Sequence, residues 1–235
     1  MTDSTRFFLW VFLSFDLLVL LWMAFSSIRR AVRRRQILHF GDRAEEEVSE
    51  TLRTEFPGAV ILDNVYLESR RGSTQLDHIL ICKWGVYVIE TKSHNGRIQI
   101  EPKEWVQFYK DKIVRFHSPI LQNESHVRAL EQVLKKHRAL QRIKVRGLVV
   151  FTSKKVHFSK RQEGVLRLDE LSPYVKSGGK TTSRRATLTG GVGRQYLNRQ
   201  KIALIQRHIQ KHSVKGQRDR KLHNRKLKRL DRRSF

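Results

Sequence analysis

Gln75-Leu76-Asp77-His78-Ile79-Leu80-Ile81-Cys82-Lys83-Trp84-Gly85-Val86-Tyr87-Val88-Ile89-Glu90-Thr91-Lys92 holds two apolar, β-branched runs that meet at Trp84-Gly85. Such runs around a glycine turn predict a hairpin of two buried or half-buried strands. Side chains alternate along a strand, so Glu90 and Lys92 share one face and Thr91 takes the other. Asp77 stands near the outer end of the first strand, where it can come level with Glu90. Two carboxylates and an ammonium then converge at the open end of an apolar hairpin, which is costly unless the charges hold something.

A divalent metal and a phosphate are what they could hold. Carboxylate oxygens of Asp77 and Glu90 with the Thr91 backbone carbonyl suit a hard cation, Mg²⁺ or Mn²⁺, that keeps several waters and binds substrate phosphate. Such an ion lowers the pKa of a bound water and stabilises charge on phosphorus. Lys92 would orient or deprotonate the attacking water and screen the phosphoryl oxygens. An Asp followed across a hairpin by Glu-x-Lys resembles the catalytic pattern of the restriction-endonuclease-like, or PD-(D/E)XK, nucleases. A Glu and a Lys two apart also occur on ordinary salt-bridged strand edges, so the flanking residues matter.

Those residues come in one order at close spacing: Gly41-Asp42-Arg43-Ala44-Glu45, Ser73-Thr74-Gln75-Leu76-Asp77-His78-Ile79, and Gly85-Val86-Tyr87-Val88-Ile89-Glu90-Thr91-Lys92. Gly96, Trp105 and Ser118-Pro119-Ile120-Leu121-Gln122-Asn123 follow. Together they resemble the NERD (nuclease-related) domain family over roughly residues 40 to 152. The resemblance implies a restriction-endonuclease-like α/β fold, a mixed sheet flanked by helices. It also implies that Glu45 is a helix-borne acidic residue of the site, supporting the metal. Asp77 and Glu90 would be the metal ligands, Lys92 the catalytic lysine, and Gln122 a helix-borne glutamine that completes the site. Ala44 stands where the family favours glycine, and Ser118 where asparagine usually precedes the proline.

The chain has 235 residues, with 48 Lys and Arg against 22 Asp and Glu, a net charge of +26. A field of that sign draws polyanions: nucleic acid, or the anionic headgroups of a cytoplasmic leaflet. Cys82 is the single cysteine, so no internal disulfide forms and a reducing compartment fits.

Residues 7–25 are almost wholly apolar, and at about 1.5 Å per residue they nearly cross a hydrocarbon core of roughly 30 Å. Arg29, Arg30, Arg33, Arg34 and Arg35 follow at once, while the start carries only Arg6 against Asp3. The positive-inside tendency therefore places the N-terminus outside and the remaining chain in the cytoplasm. The expected organisation is a transmembrane anchor over 1–28 and a basic juxtamembrane linker over 29–40. A nuclease-like domain over 41–152, a C-terminal extension with an amphipathic helix over 153–212, and a basic tail over 213–235 follow.

Helical periodicity is read over 42–56 and over a long helix opened by Pro119. A further amphipathic helix is read from Gly193 to Gln210. Val145–Thr152 reads as the closing strand of the core, Val165–Leu168 as one more edge strand, Lys103–Phe108 and Lys110–Phe116 as short strands around a turn, and Trp105 as a core residue. Gln122 and His126 share a helix face, although a lone histidine there is more often exposed than a ligand. His78 alternates away from Asp77. Ser177–Thr182 lacks the first glycine of a phosphate loop and reads as a flexible loop.

The function expected is metal-dependent hydrolysis of phosphodiester bonds in nucleic acid, DNA rather than RNA, at the cell membrane. Anionic lipid is a second partner for the basic segments. The alternative is a non-catalytic membrane-tethered adaptor for nucleic acid or signalling that keeps a nuclease-like fold.

Overall fold

The computed structural model describes residues 20–29, 40–69, 72–178 and 196–214. The chain divides into two units, residues 1–43 and 44–235. Of the first, residues 20–29 and 40–43 are helical. Among the described residues no helix is long and apolar enough to cross a membrane. Most of the anchor expected over 1–28 and of the linker over 29–40 lies outside them, as do the basic tail beyond Val214 and residues 179–195.

In the second unit, the hairpin expected around Trp84-Gly85 is β2 (Gly72–Cys82) and β3 (Gly85–Lys92). Cys82 faces Gly85 and His78 faces Ile89 across the pair. Gly85 takes φ 137° at the turn, a backbone region that only glycine enters freely. Two further strands extend the sheet on the β3 side, β7 (Val145–Phe151) and β9 (Val165–Arg167), both parallel to their neighbours. With β1 (Val60–Ser69) antiparallel to β2, the order is β1-β2-β3-β7-β9. β7 is thus an inner strand, and β9 is the further edge strand expected over Val165–Leu168.

The strands alternate cleanly between two helical layers. Ile79, Ile81, Val86 and Val88 pack with Leu130, Val133 and Leu134 of α2 (Pro119–Lys135) and Ile205 and Ile209 of α4 (Arg199–His212). Leu80, Cys82, Tyr87 and Ile89 pack with Val48, Leu52 and Phe56 of α1 and its end, and with Leu171 and Val175 of α3 (Leu168–Lys176). α1 is the helix over residues 40–55. The buried Cys82 is free, and burial pushes its thiol up to about 11, which makes it inert at neutral pH.

A second, four-stranded sheet accompanies the first, where one mixed sheet was expected. It comprises β4 (Gly96–Gln99), β5 (Glu104–Tyr109), β6 (Lys112–His117) and β8 (Val156–Phe158), in the order β6-β5-β4-β8. It is mixed as well, since β8 runs parallel to β4. Its core is Ile98, Trp105, Phe151 and Val156, with Trp105 fully buried and stacked on Phe151 at 6.1 Å and 3°.

The residues beyond 152 therefore supply β8, β9, α3 and α4 to the same sheets and cores. α4 begins at Arg199, not Gly193, because the Asn198 side chain caps it by accepting from the Lys201 N–H at 2.9 Å.

Candidate functional site

Continuing the β2–β3 register one step past His78 and Ile89 brings Asp77 level with Glu90. There the two strands part. In place of a ladder bond, the Thr91 N–H donates to Asp77 Oδ2 at 2.9 Å. Lys92 O accepts from the Thr152 N–H on the far side of β3. Backbone groups alternate along a strand, so the Thr91 carbonyl faces the Asp77 side. Glu90 and Lys92 continue the face of Val86 and Val88, toward α2. Thr91 takes the opposite face, where its Oγ1 lies 3.1 Å from His78 Nε2.

On the α2 side the charges meet. Lys92 Nζ donates to Glu90 Oε1 at 2.5 Å and to Gln122 Oε1 at 3.3 Å. Proline at the start of α2 needs no N–H donor there and sets the helix direction. The first turn thus carries Gln122 onto the lysine. One turn later His126 Nδ1 stands 3.3 Å from Glu90 Oε2. That is an ion-pair distance without hydrogen-bond alignment, and both atoms are buried with no hydrogen-bond partner. His126 is thus buried against the acid, where a solvent-facing helix position was expected. Burial of a helix residue depends on the sheet it lands on, which local periodicity does not carry.

Glu90 is 2 % exposed. Burial raises its pKa, but His126 and Lys92 outweigh that and hold it below the usual carboxylate range. Asp77 has the opposite balance. Burial first, then the Glu90 charge, push it up to about 6, against the Thr91 N–H and Lys92. Two acids that repel each other in a poorly solvated corner call for positive charge.

The donor set fits a hard divalent cation on two observations. Glu90 Oε2 is buried with no hydrogen bond, and the repulsion felt by Asp77 would be relieved by a cation between the carboxylates. No group of three or more His, Cys, Asp or Glu forms a ready cage among the described residues. Mg²⁺ does not require one, since it commonly uses one or two carboxylates and keeps its waters.

Glu45 is half-buried on α1, beside buried Ala44 and one turn before Ser49. Ser49 belongs to a relay that sequence reasoning missed. Its Oγ donates to Asp63 Oδ2 at 2.7 Å, and Asp63 Oδ1 meets His78 Nδ1 at 2.8 Å. His78 then reaches Thr91 from behind. Burial raises the Asp63 pKa, but His78, Ser49 and Arg53 together keep it low.

Asn123 is a second omission. Buried next to Gln122, its Nδ2 donates to the carbonyls of Val88 and Leu148, at 3.1 and 2.8 Å, tying α2 across β3 and β7. Gly147 makes the room, since a methyl there would stand 3.0 Å from Asn123 Nδ2.

Residues 40–152 match the nuclease-related domain family. This segment is similar to NERD domains. An uncharacterized protein of Bacillus anthracis is 30% identical over 124 residues, which make up 50% of this chain and 56% of that protein. The chain thus spans about half the length of the curated relative it matches. No solved structure matches it. The NERD segment contains Asp77, Glu90, Lys92, Gln122 and His126, and ends just after β7.

Proposed function

We propose that the protein hydrolyses phosphodiester bonds in nucleic acid, DNA in preference to RNA, with Mg²⁺ or Mn²⁺. The observation that carries this reading is the meeting of Asp77, Glu90, Lys92 and Gln122 at the end of β3. The NERD match supports nucleic acid as the substrate class, and nuclease-related domains generally use divalent metals.

Asp77, Glu90 Oε2 and the Thr91 carbonyl would hold the ion, with Glu45 in support from α1. When bound, the ion supplies a more acidic water and a counter-charge for the phosphoryl oxygens. Lys92 is held between Glu90 and Gln122 so that its ammonium stays beside the acids, where it can steady the attacking water and the phosphate. Such fixed positioning is worth more than an equally charged but mobile side chain.

The test is cleavage of plasmid, linear and single-stranded substrates with and without Mg²⁺. Asp77→Ala and Lys92→Ala should each abolish Mg²⁺-dependent cutting, about 10²-fold or more, while melting stays cooperative. Equal cutting by wild type and both variants removes these residues from the mechanism. Salt-sensitive binding without cutting by the wild type returns the adaptor.

We further propose that residues 7–25 anchor the chain in the cell membrane with the N-terminus outside and the NERD domain in the cytoplasm, and that the basic segments contact anionic lipid. The apolar run followed by five arginines supports this. Alkaline carbonate should leave the chain in the membrane pellet, and an N-terminal tag should be cleaved by external protease. Release by carbonate would remove the anchor.

A further inference from the structure

The β5–β6 hairpin has two halves in different surroundings. Near its base, Trp105 and Phe116 face each other and share the inward side. Trp105 is buried in the core, and Phe116 stacks on His94 at 4.2 Å. Toward the tip the same side is uncovered. Gln107, opposite Val114, donates to the Asn95 carbonyl at 2.7 Å. Past that bond stand Tyr109, opposite Lys112, and the turn Lys110-Asp111.

Tyr109 is 40 % exposed and Val114 44 % on this side, and Ile113, opposite Phe108 on the other side, is 66 % exposed. With Tyr196, they are the exposed large apolar side chains among the described residues of the second unit.

Register places this tip at the end of the segment that leaves the site. β4 and β5 are antiparallel with Arg97 opposite Phe108, so Gly96 lies level with Tyr109. A methyl on Gly96 would stand 3.3 Å from the Tyr109 ring. The segment Ser93-His94-Asn95, which directly follows Lys92, therefore runs from Lys92 along the inward side of the hairpin and ends beside Tyr109. The His94–Phe116 stack pins that segment to the hairpin.

The charge around the tip is mainly positive. Lys110 lies 5.7 Å over the Tyr109 ring and Arg97 4.8 Å over the Phe108 ring. Lys112 and Arg115 are exposed, against one acid in the turn, Asp111.

Lysines alone would fit a duplex backbone, but an exposed Tyr and Val gain nothing from phosphates. They gain from base faces, which a duplex hides and an unpaired strand offers. A second copy of this chain is a poor occupant, because β6 is a sheet edge carrying Lys112 and Arg115, and like charges oppose strand addition.

Resting on the nuclease reading above, we propose that the β5–β6 tip is a docking surface for an unpaired stretch of the nucleic acid. Lys110 and Lys112 take phosphates, and Tyr109 and Val114, on the same side as Lys112, lie against bases. The substrate is then single-stranded, or locally opened, where it meets Lys92.

The test is binding by the full chain in detergent and EDTA, read by anisotropy on a labelled single-stranded oligonucleotide and on its duplex. Tyr109→Ala/Val114→Ala should weaken single-strand binding about tenfold and duplex binding less than about twofold. Lys110→Gln/Lys112→Gln should weaken both and flatten the salt dependence by about two phosphate contacts. All four side chains are exposed, so melting should not move, and an altered melting temperature would count against a pure docking role.

Unchanged single-strand affinity in the apolar variant, or an equal loss on duplex, overturns the proposal. So does a variant that keeps nucleic-acid affinity but loses binding to vesicles containing phosphatidylserine. EDTA separates docking from cleavage. A cutting wild type with an indifferent tip sinks this inference alone, whereas a wild type that binds no nucleic acid sinks the nuclease reading as well.

Discussion

Asp77→Asn should make the metal-free protein more stable at neutral pH. The aspartate is pushed from 3.8 to about 6 by burial and by Glu90. Between those two values the folded state holds a proton that the unfolded chain has released, so stability falls as pH rises through the window. Above it the loss is complete, and at 1.36 kcal/mol per pKa unit it comes to about 3 kcal/mol. The amide keeps an oxygen for the Thr91 N–H, so the bond at 2.9 Å survives. Urea unfolding in EDTA should find wild type and variant nearly equal below about pH 4 and separated by about 2–3 kcal/mol above pH 7, with the variant ahead. Adding Mg²⁺ should raise the wild type's melting temperature and leave the variant's unchanged. A variant less stable than wild type at pH 7.5 in EDTA would refute the reasoning, because Asp77 would then be contributing to the fold and not straining it.

Further substitutions probe the frame around these groups. His126→Ala removes the imidazole 3.3 Å from Glu90 Oε2. It should weaken the Mg²⁺-induced melting shift by several-fold in the half-saturating concentration, while His126→Phe, which restores volume only, should fail to recover it. Gly147→Ala should cost about 1–3 kcal/mol by displacing Asn123 from two carbonyls. Asn123→Ala should cost a similar amount, and denaturant titration of the double variant should show less than the sum.

The β2–β3 hairpin was legible because both strands are long, apolar and joined by a glycine turn. Alternation then placed Glu90, Lys92 and Asp77 correctly without any tertiary knowledge. Gln122 came only through the family resemblance, and the structure does bring it to Lys92.

The β5–β6 hairpin was legible as two short strands around a turn, but their assembly into a second sheet was not. β4 and β8 are 4 and 3 residues long, too short for a periodic signal, and they pair across more than fifty residues of chain. His126 and Asn123 were undervalued for a related reason. A polar residue on an amphipathic helix is assigned to solvent unless the sheet beneath it is known to present an acid or an uncapped carbonyl. The Asp63–His78–Thr91 relay joins three strands and left no local pattern at all.

That relay has a consequence for how the protein can fail. Thr91 sits between the acid and the amine, and it is gripped from the rear by a line of polar atoms that starts at Ser49 on α1. A lesion at Ser49 or Asp63 touches no reacting group, yet it would let the strand rock and carry both groups off target together. Loss of function should therefore turn up among substitutions on the face of the sheet turned away from substrate.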